Sequence, residues 1–312
     1  MIRYLLRDEI EESLWDECIR RSFNGNLYGH SWFLDIVARD WNALVEDGYQ
    51  RVFPLPFRKK YGISYIYQPF FTQQLGLYSR SALSSDILVD FLKAIPEKFR
   101  SVEINLNLHN KCDETRFQLL PQLNHELDLI HSYPKISEGY SENLRRNLKK
   151  AEKAGLTVFK DPRPETIVDL FRENRGKGII QLDVEDYRRL LQMVYRCSHK
   201  GMADIRGVYN RQNQLIAGAI FIRSHDKTIF LFSGLSDEGR EKAAMPHLID
   251  TYIREKASQH LTFDFDGSND PNLARFYKSF GSKEIIYQRV VIDRLPALAR
   301  AGRRIMNTLR GK

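Results

Sequence analysis

The stretch SENLRRNLKKAEKAG, residues 141–155, is the segment that says most about the fold. Ser141 can cap a helix that starts at Glu142, and Gly155 can end it. The apolar residues of this helix form a narrow stripe, and five cations cover the rest of its circumference: Arg145, Arg146, Lys149, Lys150 and Lys153. These cations can contact phosphates through charge-assisted hydrogen bonds, or they can form an ordinary solvated helix face.

A second informative stretch is LTFDFDGSNDPNLARFYKSFG, residues 261–281. Its pattern predicts a strand that ends in two carboxylates, Asp264 and Asp266, followed by a Gly-Ser turn and a helix. At the carboxyl end of a strand, Asp264 could orient or deprotonate an attacking amine. The alternative is that Asp266 caps the turn and Ser268 or Asn269 caps the helix.

Both stretches resemble the FemAB-like transferases of the GNAT acyltransferase superfamily. Residues 141–155 resemble the basic helix that opens the second domain of these proteins. In residues 261–281, eight residues match the family pattern in order: Asp264, Phe265, Gly267, Ser268, Phe276, Lys278, Phe280 and Gly281. The resemblance covers residues 141–290 well and the first half of the chain weakly.

The order of predicted elements around these stretches also resembles the GNAT fold. After the basic helix we predict a strand, two helices, three strands at 205–209, 215–224 and 228–233, then a helix, a strand, a helix and a last strand. In the GNAT fold a splayed mixed sheet opens a slot for the cofactor arm. The resemblance implies that Ser233 and Gly234 line this slot.

The first half of the chain shows a looser version of the same order. Helices precede a predicted hairpin at 41–54, and a strand pair, a helix at 84–99 and a strand at 102–108 follow. We therefore predict an α/β (α+β) protein with two tandem GNAT-like domains, each a mixed, mostly antiparallel sheet flanked by helices. The turn-rich residues 131–141 suggest the junction, so the expected limits are 1–135 and 136–293, with a basic helical tail at 294–312.

The resemblance also implies a cofactor loop, in which an Arg or Gln precedes glycines whose N–H groups hold a pyrophosphate. Arg240 and Ala243 occupy the Arg and first Gly positions, and the candidate cofactor-binding residues are Arg240, Ala243 and Ala244. The loop has no glycine, and Pro246 lacks an N–H donor. Either coenzyme A binds imperfectly, or the acyl donor is something else, such as an aminoacyl-tRNA, or the site no longer catalyses.

An aromatic and glutamine-rich stretch, residues 65–76, completes the candidate set. It suits a pocket wall that stacks and hydrogen-bonds a substrate, or an aromatic strand pair at a domain interface. With Asp264 as the candidate catalytic residue, the candidates for binding substrate or phosphate are Arg145, Lys149, Lys150, Tyr67, Gln68, Gln73, Gln74, Ser233, Gly234, Ser268 and Lys278.

Composition and charge exclude several classes. The 312 residues are 42% hydrophobic and 28% charged, which does not fit disorder. No apolar run approaches the length of a membrane span. The three cysteines are far apart and include no CxxC pair, which argues against a zinc site. Their small number also favours a cytoplasmic protein. The chain also lacks the motifs of serine hydrolases and NTPases, and no metal is expected.

The charge is distributed unevenly. The net charge is +8, yet residues 1–140 carry 16 Lys and Arg against 19 Asp and Glu. The basic second half either carries ordinary solvated surface charge and a basic tail or contacts an anionic partner, such as a phosphate-bearing small molecule or a nucleotide-linked substrate. A tRNA is a further candidate, and the C-terminal tail could contact a membrane surface.

The function that these observations predict is an N-acyl or aminoacyl transferase that forms an amide between an activated donor and an amine. Positioning and polarisation of the carbonyl dominate such catalysis, so no nucleophile motif is expected. The donor would be an acyl-CoA or an aminoacyl-tRNA. The alternatives are a GNAT-fold binding protein that has lost catalysis and an RNA- or membrane-associated protein.

Overall fold

The structure, a computed structural model, describes residues 1–112, 115–178, 182–267 and 269–296. The chain forms two compact units. Unit 1 contains Met1–Pro121 and the chain from Tyr287 onward, and unit 2 contains Gln122–Ile286. The expected domain limits stay a prediction, because compact units need not coincide with the segments that fold independently. Residues 297–312 of the expected tail lie outside the described residues, as does Ser268.

Unit 1 begins with nine helices and strands in the described chain. They are β1 (Ile2–Leu5), α1 (Glu12–Arg21), α2 (Ser31–Val37), β2 (Asp40–Glu46), β3 (Arg51–Lys60), β4 (Ile63–Ile66), β5 (Tyr78–Ser79), α3 (Ser85–Lys93) and β6 (Phe99–Asn105). The predicted hairpin is present as β2 and β3, which pair antiparallel from Val45 opposite Val52 to Asp40 opposite Phe57.

The remaining elements follow in chain order. They are β7 (Gln118–Asp128), α4 (Tyr133–Ser137), α5 (Glu142–Ala154), β8 (Thr157–Lys160), α6 (Pro164–Glu173), α7 (Val184–His199), β9 (Ala203–Tyr209), β10 (Leu215–Ser224), β11 (Lys227–Leu235), α8 (Asp237–Glu241), α9 (Ala244–Lys256), β12 (Thr262–Asp264), α10 (Pro271–Lys278) and β13 (Lys283–Asp293). The predicted basic helix is α5, with Ser141 as its N-cap and a left-handed Gly155 at its end.

Each unit has a mixed sheet with a similar strand order. In unit 1 the order is β1-β2-β3-β4-β6-β13, with β5 beside β3, and β4 pairs in parallel with β6. In unit 2 the order is β8-β9-β10-β11-β12-β7, and β11 pairs in parallel with β12. The predicted mixed α/β class is confirmed. The repeated order is also what a tandem arrangement predicts.

In each unit, one neighbour of β6 or of β12 lies far from it in the sequence. In unit 1, Arg289–Asp293 of β13 pair with β6. In unit 2, Glu126–Asp128 of β7 pair with β12. Each unit therefore completes its sheet with a strand that is separated from the others in the sequence.

Two predictions around residue 130 need correction. Residues 131–141 are not only turns, since they contain α4. Strand β7 was not predicted, because five of the seven residues 122–128 are polar. Its buried side chains include Gln122, Asn124 and His125, and buried polar residues conceal a strand from hydropathy patterns.

The sheet of unit 2 is covered on both faces. On one face, α9 packs with Leu248, Ile249 and Tyr252, and the Tyr252 ring stacks on Phe221 at 3.9 Å between centroids. On the other face lies α6, whose backbone comes so close that a Cβ on Gly234 would lie 2.3 Å from the carbonyl oxygen of Ile167. Glycine at 234 therefore allows α6 to pack on β11.

Candidate active site

The parallel strands β11 and β12 separate after three paired residues. Thr262 lies opposite Lys227, and Asp264 lies opposite Ile229. Strand β11 then continues to Leu235, whereas the chain of β12 leaves the sheet after Asp264. The second half of β11 therefore borders an opening.

The local sequence explains why β12 ends at Asp264. Asp266 and Gly267 both adopt left-handed conformations, with φ of 59° and 71°. A carboxylate oxygen of Asp264 accepts a hydrogen bond from the N–H of Asp266 at 2.9 Å. Two successive left-handed residues turn the chain out of the sheet and lead it to α10, which Asp270 caps.

A cavity of about 380 Å³ occupies this region of unit 2. We call it the β11 cavity. Its walls are Phe230, Ser233 and Leu235 of β11; Gly239, Arg240 and Ala243 before α9; Met245 and Pro246 of α9; Leu273, Phe276 and Tyr277 of α10; and Asn147, Phe171 and Arg175. Leu235 lies five positions after Phe230 in the strand, so these walls extend over about 16 Å along β11.

One end of the β11 cavity is the N-terminus of α9. Ala243 has a φ of 57° there, in the left-handed region that favours glycine, so the turn forms without a glycine. The N–H groups of Ala244 and Met245 belong to the first turn of α9, where helix geometry provides no acceptor, and Pro246 has no N–H. Arg240 is 64% exposed and also contacts Asp237 at 3.1 Å.

The other end of the β11 cavity is aromatic. Tyr277 of α10 is buried, and its ring lies 6.5 Å from that of Phe230 and 4.8 Å from that of Phe265. Burial raises the pKa of the Tyr277 phenol well above its ordinary value, and the nearby Asp266 carboxylate raises it further. The phenol is therefore neutral at neutral pH and is a weaker acid than an exposed tyrosine.

Asp264 does not line the β11 cavity. Phe263 packs toward Phe221 and Tyr252 on the α9 face of the sheet, so the next residue points to the opposite face. There the Asp264 carboxylate accepts a hydrogen bond from Asn124 at 2.9 Å and lies 3.7 Å from the Lys227 ammonium. Its predicted part as a base stays a prediction, and this position does not support it.

The cations of α5 divide between two sides of the helix. Asn147 lines the cavity, and Lys150, three residues further on, lies on the same side. Arg145 and Lys149 are each two residues from Asn147 and point elsewhere. The Arg145 guanidinium donates to the carbonyl oxygens of Ser137 and Glu138 at 3.1 and 3.0 Å. Among these candidates, Lys150 is the best placed to reach a ligand in the cavity.

The glutamines predicted to bind substrate lie in unit 1 and hold the 67–76 segment against β6. Gln68 accepts a hydrogen bond from the N–H of Asn105 at 2.9 Å, and Gln74 accepts one from the N–H of Leu108 at 3.0 Å. The carbonyl oxygen of Gln73 accepts a hydrogen bond from the Asn105 side chain at 2.8 Å. The Tyr67 ring lies under the Arg58 guanidinium at 4.2 Å. These contacts serve the fold, and a role in substrate binding stays a prediction.

Some of the other predicted site residues line the β11 cavity, and others do not. Ser233, Arg240 and Ala243 line the β11 cavity, and Ala244 follows directly at the start of α9. Gly234 is covered by α6, and Lys278 is exposed at the end of α10.

Comparison with solved structures identifies the fold. FemX superposes with a TM-score of 0.62 at 15% identity, over 92% of this chain and 96% of FemX. A conserved protein from Bacteroides thetaiotaomicron gives 0.61 at 10% identity, over 93% and 99%. L-PGS from Bacillus licheniformis gives 0.51 at 12% identity, over 93% and 94%. The chain has a FemAB-like fold.

At these identities the FemAB-like similarity concerns the fold. A scan against models of protein families finds no match, and a search of curated proteins finds none either. Within the described residues, no helix is long and apolar enough to cross a membrane. The same part of the chain contains no group of three or more His, Cys, Asp or Glu side chains that could hold a metal ion.

Three polar residues of the cavity wall were not assigned from the sequence: Tyr277, Asn147 and Arg175. Tyr277 lies within the motif that carries the resemblance, so its position in the FYK segment was the available signal. Asn147 is the polar residue nearest the apolar stripe of α5. Arg175 follows α6 in a stretch without periodicity, and we find no signal that would have selected it.

Proposed function

We propose that this chain is an N-acyl or aminoacyl transferase whose β11 cavity holds the activated acyl donor. The observation that carries the proposal is the shape of this cavity. It extends along β11 from the N-terminus of α9, beside Arg240, to the buried Tyr277. An activated acyl donor has a matching elongated shape, with phosphate groups at one end and an acyl group at the other. The FemAB-like fold supports this class of reaction.

The phosphate end would be held by Arg240 and by the N–H groups of Ala244 and Met245. A helix N-terminus favours negative charge because its N–H groups and its dipole point toward the ligand. Lys150 could pair with a further phosphate along α5. Acyl-CoA and aminoacyl-tRNA both carry phosphates, so this end is compatible with either donor.

The reaction would take place near Tyr277. The amine nitrogen of the acceptor attacks the acyl carbon, the new C–N bond forms, and the bond to the leaving sulfur or oxygen breaks. The neutral Tyr277 phenol would donate a hydrogen bond to the leaving atom, and the proton that the amine loses passes through solvent to the leaving group. We leave Asp264 out of this step, because its carboxylate faces the other side of the sheet.

The second candidate function is a binding protein that retains the fold without catalysis. Pro246 favours this alternative, because it removes one of the N–H donors that the first turn of α9 would otherwise offer to a phosphate. Such a protein would bind a donor and never transfer its acyl group.

The test combines binding with turnover. Coenzyme A, acetyl-CoA and an aminoacylated RNA minihelix are titrated calorimetrically, and transfer to hydroxylamine is followed as hydroxamate. Arg240→Gln should weaken binding of the true donor about tenfold, the value of one charge-assisted hydrogen bond. Arg20→Gln, on α1 of unit 1, is the matched control and should change nothing.

The outcomes separate the candidates. Binding that depends on Arg240, together with hydroxamate formation, supports the transferase. Binding without turnover favours the degenerate binding protein. Binding that Arg240→Gln leaves unchanged, or no binding of any probe, contradicts the assignment of the β11 cavity.

A further inference from the structure

We infer that the β11 cavity selects an acyl group with an uncharged, apolar chain of several carbons over both an acetyl-sized group and a group whose chain ends in a cation. This inference rests on the proposed function, because it assigns the acyl end of the same cavity. It concerns the specificity of the reaction, which the fold alone does not give.

The position of the acyl group follows from the position of the phosphates. If Arg240 and the start of α9 hold the phosphate end, the donor extends along β11 toward Phe230, about 16 Å from Leu235. The acyl group then lies among Phe230 of β11 and Leu273, Phe276 and Tyr277 of α10.

These side chains form a firm apolar wall. The ring of Tyr277 lies 5.8 Å from that of Phe276 and 6.5 Å from that of Phe230. Behind them, Phe265 is 1% exposed and packs on Tyr277 at 4.8 Å. A wall supported in this way cannot collapse onto a small ligand, so an acetyl group would leave part of the apolar surface without contacts.

The charges near this end do not suit a cation. Of the two lining arginines in the described chain, Arg240 is at the phosphate end and Arg175 is near the acyl end, and no Asp or Glu lines the cavity. Two carboxylates lie close to Tyr277. Asp270 is engaged by Arg175 at 3.5 Å and caps α10, and Asp266 belongs to the turn after β12 and does not line the cavity. A cationic acyl group would therefore lose its hydration without gaining a lining counter-ion.

The test uses pairs of donors that differ only in the acyl group. In the coenzyme A series the probes are acetyl-CoA, hexanoyl-CoA and 6-aminohexanoyl-CoA, with free coenzyme A as reference. In the adenosine series the probes are the alanyl, norleucyl and lysyl amides of 3′-amino-3′-deoxyadenosine, which share one α-amino group and differ only in the side chain, with adenosine as reference. Calorimetric titration of the full chain gives a Kd for each.

In the series that binds, we expect the hexanoyl or norleucyl probe to bind at least about tenfold more tightly than the acetyl or alanyl probe. The aminohexanoyl or lysyl probe should show no such gain. Leu273→Trp should remove the gain by filling the acyl end. Phe276→Asp should shift the preference toward the cationic probe. Phe159→Ala, on the exposed face of β8, is the control.

Two results would overturn the inference while leaving the proposed function intact. One is equal binding of all acyl groups within a series, and the other is tighter binding of the cationic probe. If no probe binds, and neither coenzyme A nor adenosine binds, the proposed function fails and the inference fails with it.

Discussion

Ala243 has a Cβ in a backbone conformation that usually belongs to glycine. The left-handed region costs an L-residue about 1–2 kcal/mol, and a glycine costs about 0.5–1 kcal/mol more entropy on folding. Ala243→Gly should therefore raise the free energy of unfolding by about 0.5–1 kcal/mol in urea denaturation. A decrease would mean that the turn before α9 has another conformation.

A substitution of Asp264 distinguishes a structural role of this residue from a catalytic one. Its buried carboxylate binds Asn124 and the N–H of Asp266, with Lys227 nearby. Asp264→Asn replaces a charged acceptor by a neutral amide and should lower the free energy of unfolding by about 2 kcal/mol. If Asp264 were the catalytic base instead, turnover would fall by orders of magnitude while urea denaturation stayed unchanged.

The sequence predicted some site residues and not others for a physical reason. Ser233, Arg240 and Ala243 line the cavity. They occupy motif positions at which the local sequence determines the backbone conformation. The direction of Asp264 depends on which face of the sheet Phe263 occupies, and only the packed core sets that. Tyr277 becomes a cavity residue because β11 and β12 separate, which no single segment encodes.

At the level of the elements, Glu255 joins the end of α9 to two strands of the sheet. It accepts hydrogen bonds from Arg206 of β9 at 2.8 Å and from Lys160 of β8 at 3.0 Å. The hydrogen bond from Arg206 is the main cause that lowers the pKa of Glu255 from 4.5 to about 2, and burial opposes it. The stabilisation is therefore complete above pH 4.5 and is lost as the pH falls toward 2.

This linkage gives a measurable pH dependence. Glu255→Gln should destabilise the protein at pH 7 and should reduce the loss of stability between pH 4.5 and pH 2, as followed by thermal unfolding. Glu241→Gln, at an exposed position of α8, is the matched control. An unchanged acid profile in Glu255→Gln would contradict the role given to the contacts with Arg206 and Lys160.

Elements with strong periodicity were predictable, and polar or short ones were not. The helix α5 has a cap, an apolar stripe and a terminal glycine, and β9 to β11 are separated by clear turns, so all four lie where the sequence placed them. Strand β7 buries Asn124 and His125, and its pairing with β12 depends on residues more than a hundred positions away. Hydropathy cannot reveal a strand of that kind.

For the whole molecule, the sheet order predicts which fragment is stable. Unit 2 includes β7, whose Glu126 pairs with Lys227 of β11 and whose Asn124 binds Asp264. A fragment of residues 122–286 should therefore unfold cooperatively, whereas residues 136–293 should be less stable because they lack β7 and expose the edge of β12. Circular dichroism melting of both fragments tests this. Equal melting temperatures would contradict the importance of β7.

The assignment of the β11 cavity is tested most directly by a crystal structure of the full chain with the donor that binds in titration. We predict that the donor lies along β11, with a phosphate oxygen about 3 Å from Arg240 or from the Met245 nitrogen and the acyl group beside Phe230 and Tyr277. Donor density elsewhere on the chain, with the β11 cavity empty at saturation, would contradict the account.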